Sequence, residues 1–192
     1  TDPDRPLTPA EAADELRQRR GARVTYRDYL RYWIRVTHAP FLWNYHWDYL
    51  ADIMQAVADR DSALRFAIIN IPPRFAKSTI ISQQWHPWMI GREDNRRSSL
   101  LSIGTTAVLA SRDSRRTLDT IRSQWYTNLF PSVTIGAKET EAEWETAKGA
   151  YRIAVGTGGQ IIGRGADHLT LDDPLKAEDS NSEVVREKVN EW

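Results

Sequence analysis

The chain contains no cysteine, which excludes disulfide bridges and zinc–thiolate centres and fits a reducing compartment. It carries no net charge either, with 26 Lys and Arg set against 26 Asp and Glu. That balance excludes a protein whose whole surface wraps nucleic acid, though it leaves room for a local basic patch. No apolar run approaches the roughly 20 residues that cross a bilayer. There is no internal repeat and no low-complexity tract. The opening Thr1-Asp2-Pro3-Asp4-Arg5 has neither an initiator methionine nor a signal-peptide pattern, and reads as a cut end or a flexible lead-in. A cytoplasmic protein is expected.

What is present suits an α/β domain with a real core: 192 residues, 41% hydrophobic and 27% charged. The eight tryptophans are read first as packing residues. Helices are expected over Pro9–Arg20, with Thr8 as N-cap, over Tyr26–Arg35 and over Trp47–Ala58. Leu64–Ile71 holds a short apolar run, Phe66-Ala67-Ile68-Ile69, and stops at Pro72-Pro73, the pattern of a strand buried on both faces of a parallel sheet. A helix over Lys77–Ile90, a strand over Ser98–Ile103 and a long helix over Thr106–Leu129 follow. Glu143–Lys148 and Ala150–Val155 read as a hairpin or two neighbouring strands. A Gly-rich connection, Gly156–Gly165, leads to a last strand, His168–Leu171, and the tail is helical from about Ser182. This alternation predicts an α/β fold with a mainly parallel sheet flanked by helices.

Two segments carry chemistry. Ile71-Pro72-Pro73-Arg74-Phe75-Ala76-Lys77-Ser78-Thr79 lies between a strand and a helix, where a phosphate-binding loop belongs. Such a loop needs backbone N–H groups around phosphate oxygens, a lysine at the β- and γ-phosphates and a hydroxyl on Mg²⁺. Lys77 and Ser78 supply the last two. The standard loop has Gly where this chain has Ile71 and Ala76, and an ordinary turn before a Lys-Ser helix start reads the segment equally well. The second segment is His168-Leu169-Thr170-Leu171-Asp172-Asp173. Carboxylates at the carboxyl end of a buried parallel strand sit where ligands bind in such sheets. Asp172 is then the Mg²⁺ ligand and Asp173 the base that polarises the attacking water. A helix cap and a turn is the alternative.

Taken together, these segments resemble the ATPase domain of phage large-terminase DNA-packaging proteins. Ile71–Ser78 is similar to their Pro-Pro-Arg-x-Gly-Lys-Ser loop. Gly156–Asp167 looks like the Gly-rich stretch before their acidic motif, and Leu169–Lys176 resembles their Asp-Asp-Pro-hydrophobic-Lys signature. The likeness runs from about Tyr26 to Trp192. It implies residues 1–25 as a lead and helix, and 26–192 as a P-loop NTPase domain of the additional-strand, catalytic-glutamate (ASCE) branch, truncated at its C-terminal side. The coupling motif and the nuclease domain would be absent, so no nuclease activity is expected.

The resemblance implies ATP and Mg²⁺ as cofactors, with Pro73, Arg74, Phe75, Ala76, Lys77, Ser78 and Thr79 around the phosphates. It puts Ser78 and Asp172 on the metal, and Asp173 where relatives carry a catalytic Glu. Arg74 and Arg164 are the candidates for an arginine that offsets charge at the γ-phosphate. Arg112, Arg115 and Arg116 read first as a solvated helix face. Trp43 and His46, with Tyr45, are candidates for stacking on adenine, or else form a packed aromatic cluster. His38 and His86 have no metal-ligand spacing and read as structural. The implied partners are double-stranded DNA, a portal protein, a small terminase subunit and further copies of the chain in a ring, in the host cytoplasm and docked at the procapsid portal. A helicase-like translocase and a nonhydrolysing nucleotide-binding remnant are the competing readings.

Overall fold

The computed structural model describes residues 7–60, 64, 66–92, 98–161, 163, 165–175 and 181–191. Contacts divide the chain into two compact units, Thr1–Ala67 and Ile68–Trp192. Among the described residues, no helix is long and apolar enough to cross a membrane.

The first unit is helical: α1 (Pro9–Val24), α2 (Tyr26–Thr37) and α3 (Tyr45–Ala58). Thr8 caps α1 through a capping box with Glu11, satisfying N–H groups that the first turn leaves without partners. Tyr26, Tyr29, Leu30 and Trp33 recur at helical spacing along α2 and are buried, as are Trp47, Leu50, Ala51 and Met54 of α3. The two helices are clamped at the Tyr26 N–H, which donates to Gln55 Oε1 at 2.8 Å.

The second unit holds α4 (Trp85–Gly91), β1 (Ser99–Gly104), α5 (Ala107–Arg122), α6 (Gln124–Leu129), β2 (Ile135–Glu139), β3 (Glu143–Thr146), β4 (Tyr151–Gly156), β5 (His168–Asp172) and α7 (Glu183–Glu191). The sheet order is β2-β3-β4-β1-β5. β1 pairs in parallel with β4 and with β5, whereas β2–β3 and β3–β4 are antiparallel. The sheet is therefore mixed, correcting the mainly parallel sheet expected. The short connections Thr140–Ala142 and Ala147–Ala150 allow only reversal, not the crossover that parallel pairing needs. The expected hairpin is β3–β4, and β2 extends it by a strand too polar to stand out in the sequence.

The strand expected at Leu64–Ile71 is not in the sheet. Its described residues 66–71 are irregular, with Phe66 90% and Ile68 91% exposed. Continuous apolarity marks a segment fit for burial, but a strand also needs a neighbour. β5 stands at the edge of the described sheet, and residues 66–71 form no ladder with it.

The helix expected over Lys77–Ile90 changes its winding. Thr79–Gln84 is π-helical and leads into α4. Pro87 accounts for the change. It has no N–H to give to the Gln83 carbonyl, and its ring crowds that oxygen. The freed carbonyl accepts instead from Thr117 Oγ1 at 3.1 Å. The single long helix expected over Thr106–Leu129 breaks at Ser123, which turns to ψ 145° and stands at the N-terminal boundary of α6, its hydroxyl bonded back to the Thr120 carbonyl.

Strand alternation divides the sheet into two faces. Leu101, Ile103 and Ile153 form an apolar cluster on one face, with Tyr151, Val155 and Ile161 packed against it. Ser102, Arg152, Thr170 and Asp172 lie on the other. This second face is polar and yet buried. Arg152 is fully enclosed and donates to Thr117 Oγ1 and Ser102 Oγ, both at 3.1 Å. Trp144 Nε1 donates to Ser114 Oγ, and Gln83 Nε2 to Asp113 Oδ1. Hydrogen bonding is what makes such burial tolerable.

Candidate functional site

The parallel register sets Gly104 of β1 abreast of Gly156 of β4 and Asp172 of β5, so three chain turns leave the sheet at one carboxyl edge. α5 starts over that edge. A Cβ on Gly156 would lie 2.3 Å from the Ala107 backbone nitrogen, so only glycine permits this approach. Side chains then tie the turns together. The Thr157 N–H donates to the carbonyl of Gly104 and its Oγ1 to that of Pro174, and Thr105 Oγ1 donates to the carbonyl of Asp173. Asp173 itself is left-handed, at φ 47°, a conformation Asp tolerates.

Lys77 comes to this edge from 96 residues away. Its ammonium lies 2.6 Å from Asp173 Oδ1 and 3.4 Å from Asp172 Oδ1. Partial burial opposes the lysine's charge, but the hydrogen bond to Asp173 and the two carboxylate charges outweigh that, and its pKa sits above the ordinary lysine value. The paired acids are unlike one another. Asp172, the last residue of β5, is largely covered, while the Asp173 side chain is 73% exposed. One is placed to be held and the other to meet solvent.

The remaining oxygen of Asp172 is also occupied. Ser82, buried on the π-helical segment, donates to Oδ2 at 3.1 Å. Its neighbours Gln83 and Gln84 bond Asp113 and Thr120 of α5. Three successive side chains thus fasten the segment after Lys77 to the acidic strand and to α5.

The loop ahead of Lys77 is exposed from Pro72 to Phe75 and contains two non-glycine residues in left-handed backbone, Arg74 at φ 69° and Ala76 at φ 59°. Alanine costs about 1–2 kcal/mol there relative to its preferred regions. Ala76 thus holds a conformation that favours glycine while carrying a methyl group. Ser78 and Thr79 are half-buried beside Lys77.

Lys77, Asp172 and Asp173 therefore meet, and Ser78 and Thr79 stand next to the lysine in the chain. Arg74 lies exposed in the loop and forms no ion pair with another described residue. Arg164, the other arginine expected to act here, lies outside the described residues, as does Lys176. Trp43 and His46 lie in the first unit. There Trp43 Nε1 donates to Asp48, its ring stands 5.5 Å from that of Trp47, and the Arg31 guanidinium covers it; His46 packs against Tyr45 and Trp47. Arg115 pairs with Glu141 on the surface. His38 caps α2 in left-handed backbone. His86 is enclosed against Trp144; burial, reinforced by the nearby Arg152 charge, holds its pKa well below the usual value.

The sequence reading missed Ser82, Gln83, Asp113, Arg152, Thr105 and Thr157. Pro87 was the available sign of unusual winding, and an arginine between Tyr151 and Ile153 was a sign of a buried polar layer.

Among the described residues, no cluster of three or more His, Cys, Asp or Glu side chains could hold a metal ion. The donors here are hard oxygens, two carboxylates and nearby hydroxyls. They suit a magnesium ion that draws its other ligands from water and phosphate. A recess lined by Ile90, Val133, Thr146 and Lys148 shares no residue with this cluster. Comparison of the chain with protein-family models, with curated proteins and with solved structures returns no match.

Proposed function

We propose that the second unit binds ATP with Mg²⁺ and hydrolyses it, and that this hydrolysis drives movement of double-stranded DNA, as the likeness to large-terminase ATPases implies. The observation that carries the reading is the meeting of Lys77 with Asp172 and Asp173 at the carboxyl edge of parallel strands. A lysine after an exposed loop and an acid ending a strand are common apart. Held together, they form a charge arrangement able to clasp a triphosphate and its metal.

The ammonium already sits where a cation belongs, against both carboxylates. In this reading a triphosphate draws Lys77 onto its β- and γ-oxygens, and the acids become free to face a metal. Magnesium would be held by Asp172 and Ser78, and it would supply charge neutralisation at the phosphates. Asp173, exposed at the turn, would take the proton of the attacking water. The water oxygen bonds to the γ-phosphorus while the bond to the bridging oxygen breaks, yielding ADP and inorganic phosphate. Moving DNA needs only a repeated, sequence-independent grip on its phosphates, for which zero net charge is no obstacle. The portal protein, the small terminase subunit, the ring of copies and a helicase-like alternative belong to this proposal through the resemblance alone.

A second reading, a nucleotide-binding module without turnover, draws support from Ala76, which holds a left-handed conformation and puts a methyl group where the standard loop has none. Turnover of ATP by the wild-type chain and by Lys77→Ala separates the two. Hydrolysis lost in the variant supports the ATPase. Equal rates in both would refute the assigned site, and binding without turnover in the wild type favours the second reading.

A further inference from the structure

We propose that Ser82 is a positioning residue: it holds one oxygen of Asp172 so that the other is presented to the cation at the site. The proposal rests on the nucleotide reading above and adds a residue to it.

The geometry is specific. Asp172 has two carboxylate oxygens with different neighbours: Oδ1 faces the Lys77 ammonium at 3.4 Å, and Oδ2 accepts from Ser82 Oγ at 3.1 Å. A carboxylate at the end of a strand can otherwise turn about its last torsion, which is broad and roughly two-fold. A buried hydroxyl bound to one oxygen removes that freedom. Ser82 is 2% exposed, so bulk water cannot readily replace its hydrogen bond.

Ser82 is itself held from both sides. It follows Lys77 by five residues, within the π-helical turn set by Pro87, and the next two side chains, Gln83 and Gln84, anchor that turn to Asp113 and Thr120. Ser78 and Ser82 are four residues apart, close to one turn of the π-helical winding, and so lie on one side of the helix. The hydroxyl expected at the metal and the hydroxyl behind the carboxylate are thus successive rungs of one face. The first stands beside the lysine, and the second braces the acid opposite it. Outer partners of this kind orient the groups that meet the metal, and their loss commonly weakens metal binding by roughly 10–100-fold.

The test is the Mg²⁺ dependence of binding of a fluorescent ATP analogue by the 192-residue chain, with Ser82→Ala, Ser82→Cys and Ser82→Thr compared with wild type. Ser82→Ala and Ser82→Cys are expected to raise the Mg²⁺ concentration for half-maximal binding by about tenfold or more. Affinity measured in EDTA, where Lys77 acts without the metal, should stay within about twofold. Ser82→Thr, which keeps the hydroxyl, should restore the wild-type Mg²⁺ requirement. Ser82→Cys keeps the volume of the side chain and serves if Ser82→Ala does not fold. An unchanged Mg²⁺ requirement in a folded variant overturns the positioning role while leaving the nucleotide reading intact. Equal loss of affinity with and without Mg²⁺ assigns Ser82 to structure and also overturns it. A wild-type chain that binds no nucleotide overturns both.

Discussion

Removing the charge of Asp113 should cost more than any surface substitution, because of what it leaves behind. Arg152 is fully enclosed, its guanidinium donates to two neutral hydroxyls, and the Asp113 carboxylate is the charge that supports it. Burial, partly offset by that support, pulls the arginine down to about 10, so it remains charged at neutral pH. Asp113→Asn keeps the shape and the oxygen that accepts from Gln83 Nε2 at 2.9 Å, and deletes only the charge. The two side chains make no direct ion pair among the described residues, so what is lost is a through-space attraction, about 2–3 kcal/mol at an effective dielectric of about 20. For a unit of this size that is a drop in Tm on the order of 5–15 °C. Arg152→Met should cost less, about 1–3 kcal/mol, since Asp113 still has Gln83 and lies 3.7 Å from Arg112. The double variant should then lose less than the sum, by at least about 1 kcal/mol. Thermal and urea unfolding of the four proteins measures this cycle. A Tm for Asp113→Asn within a degree of wild type, or strict additivity, would refute the support that Asp113 gives to Arg152.

Two further outcomes follow from the backbone and from the buried histidine. Ala76→Gly should stabilise the chain by about 0.5–1 kcal/mol, because relief of the left-handed alanine exceeds the extra chain entropy that glycine must lose; chemical denaturation checks it, and a destabilised variant contradicts the loop conformation. His86 has a folded pKa well below its unfolded value of about 6.5, so its contribution is fully present above that pH and is lost as pH falls from there toward the folded value. Stability should decline by up to about 1.4 kcal/mol per pH unit below pH 6.5, and His86→Asn should flatten that limb in urea titrations between pH 7 and 5.

Short strings of residues made part of the site legible. Lys77-Ser78 after Pro72-Pro73, and Asp172-Asp173 after Leu169-Thr170-Leu171, each state their chemistry within a few positions, and the fold brings them together. The exposure of Phe66 and Ile68 was not legible, because pairing depends on which strand lies alongside. Continuous apolarity records only fitness for burial. The antiparallel half of the sheet was legible in part: the Glu143–Lys148 and Ala150–Val155 segments announced the β3–β4 hairpin, whereas Gly136-Ala137-Lys138-Glu139 in β2 is too polar and short to announce a strand. Ser82 escaped notice because serine inside a helix is ordinarily a neutral surface choice. Its value comes from β5, 90 residues away. Arg152 was visible as a charge in an apolar strand, but Thr117, Ser102 and Asp113, which make it tolerable, come from α5 and β1.

Zero-length coupling of amines to carboxylates tests most directly whether the lysine after the loop and the acids ending β5 form one site that a triphosphate enters. Carbodiimide treatment followed by mass spectrometry should join Lys77 to Asp173, whose side chains lie 2.6 Å apart with the acid open to solvent. ATP with Mg²⁺ should suppress that link by drawing the ammonium away. No such link in the free protein, or a link unchanged at nucleotide concentrations that saturate binding, would contradict the account.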